Sequence, residues 1–347
     1  MSIQSKLRLL RLPGMPNCKS SSAVVVVASL VSAALPGSVL LPRMMQGQTQ
    51  AAVQVPMQEG RHISLAVSID GQPSAPICFD TGLGGGMVIS SELAKSLNIR
   101  ATGTTTLSDP TGAGAMQVST GLVKSLQIGS LVFRDIQTTI QPDGPMTQEC
   151  KGVLGLELFR DYLLTIDLPS GWLRLEHGNL AAGDSGTLPY MSDNGIPTVQ
   201  MVVGSSTVQA HIDTMGPGLG LPSKTLTALH LSAPAEEIGR GRTVSGEFEI
   251  KGTVVNDTIL LGPFSYKGSF VEFNDRFSIA NLGLAALRTF TISFDQTNHL
   301  VRFVARDKEI RIQPPGGRMA PRSMGQPQAG LIQDFDRGEE PTKSARN

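Results

Sequence analysis

The sequence predicts an all-β protein with short helices, folded as two related β-barrel lobes that share a central cleft. Three observations carry this reading. Aromatic residues make up only 5 % of the chain while Gly numbers 38 and Pro 22, a composition that, with abundant Thr and Val, suits short strands joined by many turns. The body of the chain repeats itself once, at shifts of 133 and then 128 positions. In each half an apolar strand runs into an aspartate, Asp80 in the first and Asp213 in the second.

The first strand is read from alternation. Ile63, Leu65, Val67 and Ile69 fall on one face and Ser64, Ala66, Ser68 and Asp70 on the other, and Asp70-Gly71 turns the chain. A second apolar run, Ile77-Cys78-Phe79, ends in Asp80-Thr81-Gly82. In the second half Val199, Met201 and Val203 alternate, Gly204 turns, and Ala210-His211-Ile212 enters Asp213-Thr214-Met215. Alternation also puts His211 on the face of Asp213, where it reads as a strand residue with a local partner.

After each aspartate comes a short helix. Ser90 to Asn98 has Leu93 and Leu97 four apart and Ser90 as N-cap, and Pro222 to His230 has Leu226 and Leu229 three apart. Ile128-Gly129 and Leu261-Gly262 mark equivalent hairpin tips. The closing segments match best: Val153-Leu154-Gly155 and Asn281-Leu282-Gly283 each precede a short helix and a two-stranded hairpin. There Arg160 meets Arg288, Asp167 meets Asp295 and Arg174 meets Arg302. These limits place lobe 1 at 52–180 and lobe 2 at 190–306.

The flanks differ from the body. Within 1–50, Lys6, Arg8, Arg11 and Lys19 precede an apolar run from Ala23 to Leu35, broken by Pro36-Gly37, with small residues at Ser32-Ala33-Ala34. That is the pattern of a signal peptide. The alternative is an uncleaved N-terminal anchor extended by Val39, Leu40 and Leu41, which would bring the protein to a membrane. Both imply an exported protein, periplasmic or extracellular. Residues 314–347 are too poor in apolar side chains to offset the entropy of ordering and read as a disordered tail. Lys plus Arg and Asp plus Glu are 29 each, so no basic excess exists to hold a phosphate backbone and nucleic acid is excluded as a partner.

An apolar strand entering Asp80-Thr81-Gly82, followed about 70 residues later by Val153-Leu154-Gly155, resembles the retropepsin/pepsin-like aspartic peptidases. The stretch GVLGLELFRDYLLTIDLPSGWLRL at 152–175 looks like the end of a bacterial retropepsin-like domain. The resemblance covers most of lobe 1 and reaches lobe 2 through the repeat. It implies an aspartic endopeptidase acting on a peptide or protein substrate, with a water activated between Asp80 and Asp213. Thr81 and Thr214 would lock the two loops across the lobe interface, and Gly82 would let the backbone bend behind the aspartate. Two carboxyls a few Å apart cannot both ionise cheaply, so the pair holds one proton between them. Such chemistry calls for no cofactor and no metal.

Three departures from that pattern stand out. Met215 occupies the place of a glycine, with Gly216 able to take over the bend after a one-residue shift. Leu83-Gly84 and Gly216-Pro217 stand where a hydroxyl residue follows the triplet. The hairpin from Thr102 to Gly121 has no tyrosine. Two other readings of the chain therefore stay open: a catalytically inactive peptide-binding protein on the same fold, and a homodimeric peptidase using Asp80 only, in place of a monomer. Cys78 and Cys150 read as two buried thiols, although the resemblance runs their segments side by side, where a disulfide can form.

Other motifs carry less. Gly82, Gly84 and Gly86 lack the βαβ setting of a dinucleotide loop. Gly183-Asp184-Ser185-Gly186 looks like a serine-peptidase nucleophile loop but lies in a polar linker with no partner histidine motif before it. The five histidines, His62, His177, His211, His230 and His299, show no metal-ligand spacing.

Overall fold

The computed structural model describes residues 52–315, apart from 59, 61, 110, 112–113, 143–149 and 244–245. The leader expected within 1–50 lies outside these residues, as does the expected tail from 316 onward. The described chain is mostly β, with a closed six-stranded barrel and a half-barrel. Among the described residues no helix is long and apolar enough to cross a membrane.

In the first lobe the strand Ser64–Ile69 pairs antiparallel with Ala75–Asp80 and with the end of Met116–Ile128. Leu65 and Val67 are fully buried, as their alternation demands, and Asp70 and Gly71 both turn with positive φ. Ala75–Asp80 then pairs parallel with Gly152–Gly155, which pairs antiparallel with Met87–Ser90, which in turn pairs parallel with Leu131–Gln141. The second lobe reproduces this order. Ser206–Ile212 pairs parallel with Ala280–Leu282, which pairs antiparallel with Leu219–Pro222, which pairs parallel with Ser269–Asn274. Each aspartate thus leaves a central strand beside an apolar-apolar-Gly strand. Gly155 is required there, because a Cβ at that position would lie 2.0 Å from the carbonyl oxygen of Gly85.

The helix after Asp80 spans Ser91–Ser96. Ser90 caps it, its Oγ accepting from the Leu93 backbone N–H at 2.9 Å. Its counterpart, Ser223–Ala228, is wound as a 3₁₀ helix. Each lobe also extends a long hairpin, Ala101–Leu107 with Met116–Ile128 in the first and Glu236–Thr243 with Gly246–Val255 in the second. β structure in the second lobe continues past 306: Glu309–Ile310 pairs with Phe264–Tyr266, and the Ile312 N–H donates to Ser269 Oγ at 3.1 Å.

The lobes are joined by one antiparallel sheet running Thr187–Pro189, Leu300–Ala305, Phe290–Asp295, Leu163–Asp167, Trp172–Glu176, Val53–Gln58. Its register shows the symmetry. Thr165 pairs with Ser293, its own counterpart in the repeat, and their hydroxyls are 2.9 Å apart. Equivalent residues can face one another in this way only across a twofold axis, so a pseudo-twofold passes between Thr165 and Ser293. Phe290 and Phe294 are fully buried under this sheet and Phe303 nearly so. Phe290 meets Phe264 and Phe303 edge-on at 4.9 and 5.5 Å between centroids. Each such ring contributes roughly 1.5–3 kcal/mol by burial, which makes the join part of the core.

Cys78 and Cys150 are joined in a disulfide with Cα atoms 5.5 Å apart. The reading of two buried thiols is therefore corrected. The strand ending in Asp80 runs beside Gly152–Gly155 and holds the two sulfurs within bonding reach. The Gly183–Gly186 segment is a turn: the Asp184 N–H donates to the Ala181 carbonyl and the Thr187 N–H to that of Asp184. Asp184 also pairs with Arg302 at 3.5 Å.

Candidate active site

Asp80 and Asp213 meet at the centre of the molecule, where the two loops are tied by reciprocal hydrogen bonds. The Thr81 N–H donates to Thr214 Oγ1 at 3.0 Å and the Thr214 N–H to Thr81 Oγ1 at 3.1 Å. Each hydroxyl then donates outward, Thr81 Oγ1 to the Ile212 carbonyl at 2.7 Å and Thr214 Oγ1 to the Phe79 carbonyl at 3.3 Å. Both threonines are wholly buried. In that setting a neutral hydrogen bond is stronger than in water, and an orphaned partner is costly. These bonds tie the loop that carries Asp80 to the loop that carries Asp213.

The two carboxyls lie on either side of Gly82: its N–H donates to Asp80 Oδ1, and a Cβ on it would lie 2.9 Å from Asp213 Oδ1. Asp80 receives the Gly82 N–H on Oδ1 at 2.7 Å. Asp213 receives three donors: the N–H groups of Met215 at 3.0 Å and Gly216 at 2.6 Å on Oδ1, and Asn281 Nδ2 at 3.1 Å on Oδ2. Burial, and then the adjacent charge of Asp213, hold the Asp80 carboxyl well above the ordinary 3.8, against the opposing pull of the Gly82 N–H. Asp80 as a residue keeps partial solvent contact while its carboxyl head is enclosed by protein. That is the placement of a group facing a cleft.

Asn281 is the residue the sequence reading missed as part of this site. The signal was present, since Asn281 replaces Val153 of the first repeat, a polar side chain at an apolar position. It supplies Asp213 with a donor in a site where no hydroxyl residue follows either triplet.

Met215 does not disturb its loop. Neither Met215 nor Gly216 has a positive φ, so no glycine conformation is needed at 215. What the loop requires is space at 216, where a Cβ would lie 2.3 Å from Asn281 Nδ2 and 2.6 Å from Asp213 Oδ2. In the other loop a Cβ on Gly82 would lie 2.8 Å from Asp213 Cγ. The Met215 side chain packs with Leu83 against Val153 and the Cys78–Cys150 bridge. Met215→Gly should accordingly lower stability by about 2–3 kcal/mol through lost burial and added backbone freedom, seen as a lower Tm.

A second contact ties the lobes through their hairpins. Asp109, after the strand Ala101–Leu107, is buried. It accepts from Arg276 and from Thr243 Oγ1, the latter at 3.3 Å, on the second lobe. His211 is buried on its strand, opposite Thr198 and Asn281 in register.

Residues 65–158 match the family model for aspartyl proteases, a span that includes Asp80 and the Gly155 strand. The match supports a peptidase of the retropepsin-like kind. No curated protein is significantly similar to the chain.

Proposed function

We propose that this chain, whose first lobe carries the aspartyl protease match, hydrolyses peptide bonds with Asp80 and Asp213 as its catalytic pair. One observation supports this above the others: two aspartate carboxyls brought together beside Gly82 within a single chain, with unequal surroundings. A peptide-binding protein has no need to stabilise such a pair, and one chain already supplies both halves without a second copy.

The inequality assigns the roles. Asp213, with three donors on its oxygens, takes the part of the base. Asp80, raised by burial and by the charge of Asp213, carries the shared proton. A water between them gives a proton to Asp213 as its oxygen attacks the scissile carbonyl carbon, and Asp80 gives its proton to the carbonyl oxygen. The resulting gem-diol collapses when the amide nitrogen takes the proton held by Asp213 and the C–N bond breaks. The gem-diol proton returned to Asp80 restores the starting state. Thr81, Thr214 and Gly82 position the pair, and so does Asn281. We further propose that the protein acts after export, as a monomer, at the periplasmic or extracellular face implied by its leader.

The test is the pH profile of kcat/KM on an unfolded protein substrate. Activity needs the singly protonated pair, so the profile should be a bell with a mildly acidic optimum. The acid limb marks uptake of the second proton, and the alkaline limb marks loss of the Asp80 proton, well above 3.8. Asn281→Leu removes a donor to the carboxylate, so its acid limb should move to higher pH while the alkaline limb stays nearly in place. Purified protein that binds peptides but cleaves none between pH 3 and 7 would refute the proposal in favour of a binding protein.

A further inference from the structure

Beside the catalytic loop lies a cavity of about 490 Å³ lined by apolar and polar groups together, and Glu272 is the acid among its described lining residues. Met215 and Gly216, whose N–H groups hold Asp213, line one side. Ile238, Ile250 and Phe270 line another. Glu272 stands on the strand Ser269–Asn274, whose alternate residues Val271 and Phe273 are buried in the core. Its side chain therefore points out of the core and into the cavity. Its neighbours in register are glycines, Gly220 on one side and Gly252 on the other, and Phe270 and Ile238 fill the space that a side chain at 252 would take.

The carboxylate reaches back toward the catalytic loop. A Cβ on Gly218 would lie 2.7 Å from Glu272 Oε1, and one on Gly216 would lie 2.6 Å from Asp213 Oδ2. Two residues of chain span at most about 7 Å between Cα atoms, so Glu272 and the catalytic pair are within the reach of one or two substrate residues. Burial pushes the Glu272 carboxyl up to about 7, and among the described residues no hydrogen bond or charge opposes it. The residue retains partial solvent contact, as a group opening on a cavity must. An acid enclosed by protein without a partner costs stability, and a cationic ligand is what would relieve it.

We propose that this cavity is a specificity pocket for an arginine or lysine side chain of the substrate, with Glu272 as the residue that receives the cationic head. The aliphatic stem of such a side chain would lie along Ile238, Ile250 and Phe270, and a guanidinium could take both carboxylate oxygens. The other ionisable groups bordering the cavity are His62, Arg288 and, beyond Gly216, Asp213. Arg288 is exposed and forms no ion pair with Glu272 among the described residues. At mildly acidic pH the cation must displace the Glu272 proton, so the preference should grow as the pH rises toward and past 7.

The proposal deepens the peptidase reading and rests on it for the word substrate, but its test does not need turnover. Asp80→Asn protein is titrated with fluorescein-labelled octapeptides that carry either one arginine or its neutral isostere citrulline at each position in turn. At one position, arginine should bind at least tenfold more tightly than citrulline at pH 7.5, with a smaller ratio at pH 5. Adding Glu272→Gln should bring the ratio to near one, and adding Glu272→Asp should leave part of it. Equal binding of arginine and citrulline peptides at every position, or a preference that survives Glu272→Gln, overturns the pocket. The two readings separate cleanly: arginine preference in the Asp80→Asn protein beside an inert parent protein keeps the pocket and removes the peptidase, and cleavage without basic preference does the reverse.

Discussion

Asp80→Asn and Asp213→Asn should each lower kcat on an unfolded protein substrate by about 10³-fold or more, and the double variant should be no worse than either alone. General acid–base groups contribute about 10²–10⁴-fold each, and residues that act as one unit lose their effect together. In the proposed mechanism the pair shares a proton, so replacing either carboxyl removes both the base and its matched acid. Stability provides the control. The folded-state pKa of Asp80 is raised, so the folded chain holds a proton that the unfolded chain releases. The stability cost is absent below the unfolded value near 4 and grows as the pH rises through it, up to the folded value. Asparagine cannot ionise and removes that cost, so Asp80→Asn at pH 7 should melt no lower than the parent. In Asp213→Asn the new amide faces Asn281 Nδ2, and Asn281 must rotate to offer its oxygen instead. Full activity in Asp213→Asn with none in Asp80→Asn would mean that the second lobe is structural and that two copies of Asp80 meet in a dimer.

The second large effect concerns the disulfide. Cys78–Cys150 closes a loop with a sequence separation of 72, which in the chain-entropy account contributes about 4 kcal/mol. Cys78→Ala/Cys150→Ala, or reduction of the parent, should therefore lower the urea midpoint by 1 M or more, given a slope of about 1–3 kcal/mol/M for small proteins and higher for larger ones. The loss should also reach the catalytic loop, because Leu83 and Met215 rest on the bridge. Activity measured well below the midpoint should fall along with stability. Reactive thiols at both Cys78 and Cys150 in the denatured, unreduced protein, located by alkylation and peptide mapping, would show that the bond is absent.

Much of this architecture was legible in the amino-acid order because it is local and repeated. Alternation of apolar residues at 63–69 and 199–203, the Ser90 cap and the turns at Asp70-Gly71 and Gly204 are each decided within a few residues. The repeat then links them, since a segment used twice must fold in the same way twice. The twofold between Thr165 and Ser293 follows the shift of 128 read from the chain.

The site was legible only in its most regular part. Asp80, Asp213, Thr81 and Thr214 stand at repeat-equivalent positions, so their meeting across the lobes could be expected. What only the tertiary structure decided is how the two halves differ. Whether Met215 is tolerated depends on the room beside Leu83 and the disulfide, and the demand for glycine falls on position 216 because of atoms from Asn281, 65 positions further along the chain. The role of Asn281 depends on a parallel strand pairing, and the enclosure of Glu272 depends on the glycines of two neighbouring strands. Periodicity and local propensity report which face of a strand is apolar. They do not report which distant side chain comes within hydrogen-bond reach of a carboxyl, as Asn281 does of Asp213 at 3.1 Å.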